Sequence, residues 1–382
     1  MHIDLPDAAG RMRRYALLGA PRAETPLPAN PARVVYAAAH VVADPFAETE
    51  PSRGAAIDWE ASIGFRRHLA GLGLGIAEAM DTAQRGMGLG WEDALTLIRH
   101  TREALPEAMV ANGCGTEQLA PEAARGLDDV VRAYLEQAEA IQKLGGRLVL
   151  MASRALARVA RGRDDYAHVY GRVLAECDAP VVLHWLGDMF DPELAGYWGA
   201  DEFGPAMESA LAIIERHAGK IDGIKISLLD KDKEIEMRRR LPDGVRMYSG
   251  DDFNYPELMA GDAQGYSDAL LGAFDPLAAH AAAAVGRLGS GDKAGFREIL
   301  DPTVPLARLI FRAPTQYYKT GVVFLAWLNG FQEHFVMLGG AQAMRPLPYF
   351  AELFRLADQC GALRDGEMAA ARMRRLLAVY GC

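Results

Sequence analysis

Short apolar runs alternate with longer amphipathic stretches along most of this chain. Seven of the runs read as buried strands: Arg33–Ala39, Gly73–Ala79, Ala108–Asn112, Arg147–Met151, Pro180–His184, Ile221–Leu229 and Val245–Ser249. A weaker eighth lies at Ala269–Phe274. Continuous apolar runs of this length, bounded by turn residues, are what strands covered on both faces require. Between them lie helical patterns, the clearest over 128–144, where Val131, Tyr134, Leu135, Ala138 and Ile141 form one stripe that Gly145-Gly146 ends. Eight alternations at roughly 30-residue spacing predict an α/β fold with a parallel sheet closed into a (β/α)8 barrel. An open doubly wound sheet is the competitor, but Val41–Phe46 lacks its Gly-rich nucleotide turn, and Gly113-Cys114-Gly115 is only a tight turn. After about residue 300 the pattern turns helical, broken by Pro302, Pro305 and Pro314. The expected division is an irregular lead-in over 1–32, the barrel over 33–300 and a helical C-terminal extension over 301–382 packed on the barrel.

Composition narrows the class more than the chemistry. The 382 residues are 50% hydrophobic and 24% charged, an ordinary balance for a globular protein with a large core. A net charge of −10 without a Lys/Arg-rich tract argues against nucleic acid as a partner. The N-terminus has no basic segment followed by an apolar one, and no apolar stretch reaches the ~18 residues a membrane span needs. The four cysteines, Cys114, Cys177, Cys360 and Cys382, are scattered without metal-type spacing and read as reduced thiols. A cytoplasmic location, no membrane partner, no cofactor and no metal are therefore expected.

Lys225 is the candidate for chemistry. It stands in Ile221-Asp222-Gly223-Ile224-Lys225-Ile226-Ser227-Leu228-Leu229, where alternation puts it on one face with Gly223 and Ser227 and puts Ile224, Ile226 and Leu228 on the other. Small neighbours leave room for a ligand, and a lysine in a dry setting loses basicity and becomes an amine nucleophile. The competing reading is a strand-end lysine whose stem carries the ammonium out to water.

Several segments, taken in order, resemble the dihydrodipicolinate synthase and N-acetylneuraminate lyase superfamily of class I aldolases. Pro45-Phe46 with Ala56–Ala61 is similar to its opening strand and loop, Val110–Thr116 to its third strand, and Ala179–Trp185 to its fifth. Gly223-Ile224-Lys225 looks like the sixth strand, Tyr248–Asp252 like the turn after the seventh, and Gly291-Asp292 with Tyr318–Gly321 like the C-terminal helices. The resemblance spans roughly residues 33–340 and implies a barrel whose site lies at the C-terminal strand ends. It also implies a Schiff base between Lys225 and a keto substrate, and a homo-oligomer, a dimer or a tetramer.

The departures from the family pattern shape the expected substrate. The family's Gly-Thr-Thr-Gly-Glu turn reads Met80-Asp81-Thr82-Ala83-Gln84 here, keeping one hydroxyl but adding a carboxylate. Two like charges ~4 Å apart repel by a few kcal/mol at an effective dielectric near 20, which disfavours a pyruvate-type carboxylate at that turn and favours hydroxyls that Asp81 can accept from. Asp81 also suits a helix cap. The fifth-strand tyrosine relay is replaced by His184, a group able to move protons near neutrality, or else a buried histidine bonded to a backbone carbonyl. Thr-Pro-Tyr-Tyr becomes Ser153-Arg154-Ala155-Leu156, with Arg154 read as a surface ion pair or else as a partner for an anionic group, and Tyr317, Tyr318 and Lys319 are assigned to the helical extension. The expected enzyme is a carbon–carbon or carbon–oxygen lyase of aldolase or dehydratase type acting on a keto sugar or a related polyhydroxylated carbonyl compound. Lys225 and His184 are its catalytic residues, and Asp81, Thr82, Asn112, Ser153, Asp251, Asp252 and His40 bind the substrate. The alternatives are a metal-dependent sugar isomerase or epimerase using His40, His184, Asp251 and Asp252, and a non-catalytic sugar-binding barrel.

Overall fold

The computed structural model describes residues 1–48 and 55–382. Among the described residues there are ten strands: β1 His2–Pro6, β2 Met12–Ala16, β3 Val35–Ala38, β4 Gly75–Glu78, β5 Val110–Cys114, β6 Arg147–Leu150, β7 Val181–Leu186, β8 Ile221–Ser227, β9 Arg246–Ser249 and β10 Asp268–Leu271. The last eight form a closed parallel barrel in sequence order, with β10 hydrogen-bonded to both β9 and β3. Closure removes every sheet edge, and helices follow the strands around the outside. This is the (β/α)8 fold, with a run of helices from Lys293 to Val379 after it.

Strand alternation divides the side chains between two cores. Tyr36, Ala77, Ala111, Val149, Val182, Tyr248 and Leu270 point inward and plug the barrel. Leu183, Trp185, Ile224 and Ile226 point outward onto the surrounding helices. Gly223 makes one internal fit possible: a Cβ there would stand 2.7 Å from the Tyr248 ring, which fills the space beneath Lys225.

Residues 1–32, expected to be irregular, begin with a two-stranded antiparallel sheet. Ile3 and Leu5 alternate inward and join the same apolar core as Phe350 and Phe354 of the helix Leu347–Gln359. Asp7 fixes the turn between the strands by accepting from the N–H groups of Ala9 and Arg11, at 2.9 and 3.0 Å. The helix Tyr318–Leu328 is buried along its whole length, and its first turn reaches the C-terminal mouth of the barrel. Cys114, Cys177 and Cys360 are buried thiols and Cys382 is an exposed one. Among the described residues, no helix is long and apolar enough to cross a membrane.

Candidate active site

Lys225 sits on the inner face of β8, paired in register with His184 of β7 and Tyr248 of β9. It is 7% exposed, so its stem does not carry the ammonium to bulk water. Its side chain lies over Gly250, where a Cβ would meet Ser227 Oγ and stand 2.8 Å from Lys225 Cε. Burial lowers the Lys225 pKa, opposed by the charges of Asp81 and Asp252. His184 is fully buried, with Nε2 3.2 Å from Ser227 Oγ and Nδ1 without a partner. Burial, and then the neighbouring Lys225 charge, hold its pKa well below the usual histidine range.

Asp252 follows β9 and accepts from the Ala273 N–H at 2.8 Å. Burial pushes its pKa up to about 7, and Lys225 pulls against that rise. The amine and the carboxyl each act on the other's titration, so their protons come off as a pair.

Next to this group lies a cavity of about 220 Å³ at the C-terminal mouth, walled in part by Asp81, Met151, His184, Phe190, Tyr318 and Lys319. Lys225 is not among the residues that wall it; His184 belongs to both. Thr82 is buried behind the wall, with its hydroxyl 2.9 Å from the Tyr318 hydroxyl. Asp81 opens the short 3-10 turn after β4 and faces the cavity. The backbone enters that turn through Ala79 at φ +52°, a conformation unusual for a residue with a Cβ.

The remaining residues picked from the sequence lie elsewhere or are committed. Asn112 is on the outer face of β5, where its amide donates to the Arg147 carbonyl at 3.0 Å and lies close to Gly146, so it does not face a substrate. Ser153 caps the helix Arg154–Val159, accepting from the Leu156 N–H at 3.0 Å and sharing a 2.6 Å hydrogen bond with Thr116. Asp251 fixes a turn, accepting from the N–H groups of Phe253 and Asn254 and from the Asn254 amide. His40 is buried with Nδ1 2.8 Å from Asp275 and its ring against Phe65. His40, His184, Asp251 and Asp252 do not converge, and among the described residues no group of three or more His, Cys, Asp or Glu could hold a metal ion.

Most of the wall lies outside the substrate-binding candidates, and three of its polar side chains, Arg154, Tyr318 and Lys319, bear on the chemistry. Arg154 pairs with Asp191 at 2.6 Å, as its surface reading expects, yet also lines the cavity. Tyr318 and Lys319 arrive from the helix Tyr318–Leu328. No spacing within the sequence indicates that a helix some 90 residues beyond Lys225 in the chain returns to the mouth of the barrel.

The fold is similar to that of solved dihydrodipicolinate synthases. The enzyme from Aquifex aeolicus is 14% identical with a TM-score of 0.60, covering 91% of this chain and 98% of its own. The 4-hydroxy-tetrahydrodipicolinate synthase from Methylacidiphilum fumariolicum SolV is 16% identical with a TM-score of 0.64, covering 90% and 99%. YagE, a prophage protein of the dihydrodipicolinic acid synthase family from E. coli K12 solved with pyruvate, is 14% identical with a TM-score of 0.67, covering 86% and 98%. Among curated proteins no relative matches the chain. Residues 3–382 match a single family along almost the whole length, and the chain accordingly belongs to the family described as Protein of unknown function (DUF993).

Proposed function

We propose that this protein is a Schiff-base-forming lyase of aldolase or dehydratase type, acting on a polyhydroxylated keto compound. The observation that carries the reading is a buried lysine on the inner face of a barrel strand, in register with a histidine on the next strand and under the charge of a buried carboxyl. The Lys225 amine, with its pKa lowered by burial, adds to the substrate carbonyl; the carbinolamine then loses water to give an iminium ion. The iminium withdraws electrons from the adjacent carbon. A hydroxyl one carbon further on then gives up its proton as the carbon–carbon bond breaks, leaving an enamine. Alternatively the α-carbon loses a proton and the β-hydroxyl departs as water. In this reading His184 and Asp252 move those protons. Asp81 receives hydrogen bonds from substrate hydroxyls. The pyruvate bound to the E. coli protein is a keto compound of the class this chemistry uses. Assembly as a homo-oligomer belongs to the same reading and is checked by light scattering.

The test is borohydride reduction in the presence of keto sugars and keto acids, followed by peptide mapping. The expected adduct sits on Lys225 and is lost in Lys225→Ala. Failure of every carbonyl compound in a broad panel to label the protein removes the proposal.

A further inference from the structure

Lys319 carries a charge that no ion pair in contact with it neutralises; Asp81, across the same cavity, is the carboxylate that acts on it most. It is 6% exposed, walls the cavity and lies in the first turn of the buried helix Tyr318–Leu328. Its ammonium has three donors. One reaches the Gln316 carbonyl at 3.2 Å and another only the thioether of Met87 at 3.5 Å, while the ammonium also lies over the Tyr318 ring, 4.6 Å from its centre. Among the described residues, no carboxylate lies within ion-pair distance of it. A buried ammonium without a carboxylate partner is costly, and such groups persist where something else meets them.

The other cations of the wall are already committed. Arg85 is bonded to Glu117, to Gln137 at 2.7 Å, and to the carbonyls of Ala79 and Gly113. Arg154 is held by Asp191 and, at 3.4 Å, by Glu193. Lys319 is the cation left for a ligand. Burial lowers its pKa to about 8, with Asp81 and Asp191 pulling it up and Arg154 pushing it down. Near pH 7 it is still mainly the charged form.

We infer that Lys319 Nζ receives an anionic group of the substrate, a carboxylate or a phosphate, while Asp81 accepts its hydroxyls. This deepens the proposed function and rests on it for the carbonyl end of the substrate. It gives the anion a cation to meet in the cavity that Asp81 also faces. A polyhydroxylated keto compound that also carries a negative charge satisfies both groups at once.

The experiment is borohydride trapping on the full chain with fructose, fructose 6-phosphate and 2-ketogluconate, read as the concentration giving half-maximal labelling of Lys225. The anionic compounds should label at concentrations at least about tenfold lower than fructose, on the scale of one charge-assisted hydrogen bond. Lys319→Gln should remove that preference and Lys319→Arg should keep part of it. Preference for only one of the two anions identifies carboxylate or phosphate as the natural group. Equal labelling by fructose, a preference that survives Lys319→Gln, or an adduct on Lys319 itself overturns the inference while leaving imine chemistry standing. If no compound labels Lys225, the lyase reading fails instead. Inorganic phosphate then tests the subsite alone: a rise in melting temperature for the wild type, absent in Lys319→Gln, supports it, and no rise overturns it.

Discussion

His184 shows how burial changes what a residue can do. Its pKa is driven below the ordinary value by desolvation and by Lys225, so the imidazole is neutral at pH 7 and offers one donor and one acceptor nitrogen. Nε2 is near Ser227 Oγ and Nδ1 has no partner. A neutral relay of this kind takes a proton in one step and returns it in the next. His184→Phe is expected to lower turnover by about 10²-fold, the usual scale for a general acid–base group, while borohydride still labels Lys225. Turnover near the wild-type level rules the histidine out of proton transfer. Both Lys225 and His184 were legible in the sequence because period-two alternation assigns a strand residue to a face once its neighbours are read. The same rule, followed through, puts Asn112 outside: Ala111 and Val149 fill the barrel, while Val110 and Cys114, which share a face with Asn112, pack outward. Ser153 and Asp251 were ambiguous for a different reason. Serine and aspartate at strand ends cap helices and fix turns as readily as they bind ligands, and only the hydrogen bonds distinguish the two uses.

At the scale of elements, the barrel strands were readable because each is a buried apolar run, and all eight lie within a few residues of their expected bounds. The β1–β2 hairpin escaped because five-residue strands flanked by polar and proline-rich sequence carry little period-two signal, and Ile3 and Leu5 find their apolar partners only in a helix far along the chain. One contact between elements has a measurable consequence. Glu234, on the helix Lys231–Arg238, is fully buried and accepts from Ser249 Oγ of β9 at 3.0 Å and from Ser267 Oγ, just before β10, at 2.7 Å. Burial pushes its pKa up to about 8 despite those two donors. The folded state therefore keeps a proton that the unfolded chain releases near its reference value of about 4.3. Stability attributable to this group is present below that lower value and falls as pH rises toward 8, at up to about 1.4 kcal/mol per pH unit. Glu234→Gln, which stays neutral throughout, should match the wild type near pH 4 and exceed it at pH 8 in urea unfolding. A difference that is the same at both pH values contradicts the assignment.

For the whole molecule, the question is what holds the first quarter of the barrel wall, where Asp81 is presented. Arg66, on the helix Trp59–Gly71, is completely buried and grips Glu78 of β4 with two bonds of 2.8 Å. A further nitrogen of the same guanidinium donates to the carbonyls of His40, past the end of β3, and of Ser62. Glu78 also accepts from Thr101 on the helix Trp91–Ala104 at 2.6 Å and from the Ala79 N–H at 2.8 Å. One ion pair thus joins two strands and two helices, directly beneath the left-handed Ala79 and the turn that displays Asp81. A buried pair contributes little over well-packed apolar residues, but removing one partner strands the other charge at a cost of about 3–5 kcal/mol. Arg66→Met should therefore lower stability by that amount, and adding Glu78→Leu should recover much of the loss, because no isolated carboxylate is then left inside. Lys225 lies on the other side of the cylinder, on β8, whose neighbours are β7 and β9. Borohydride labelling of Lys225 in Arg66→Met, well below its melting temperature, should accordingly remain near the wild-type level. If labelling falls along with stability, the clamp supports the entire mouth of the barrel and not only its first two strands.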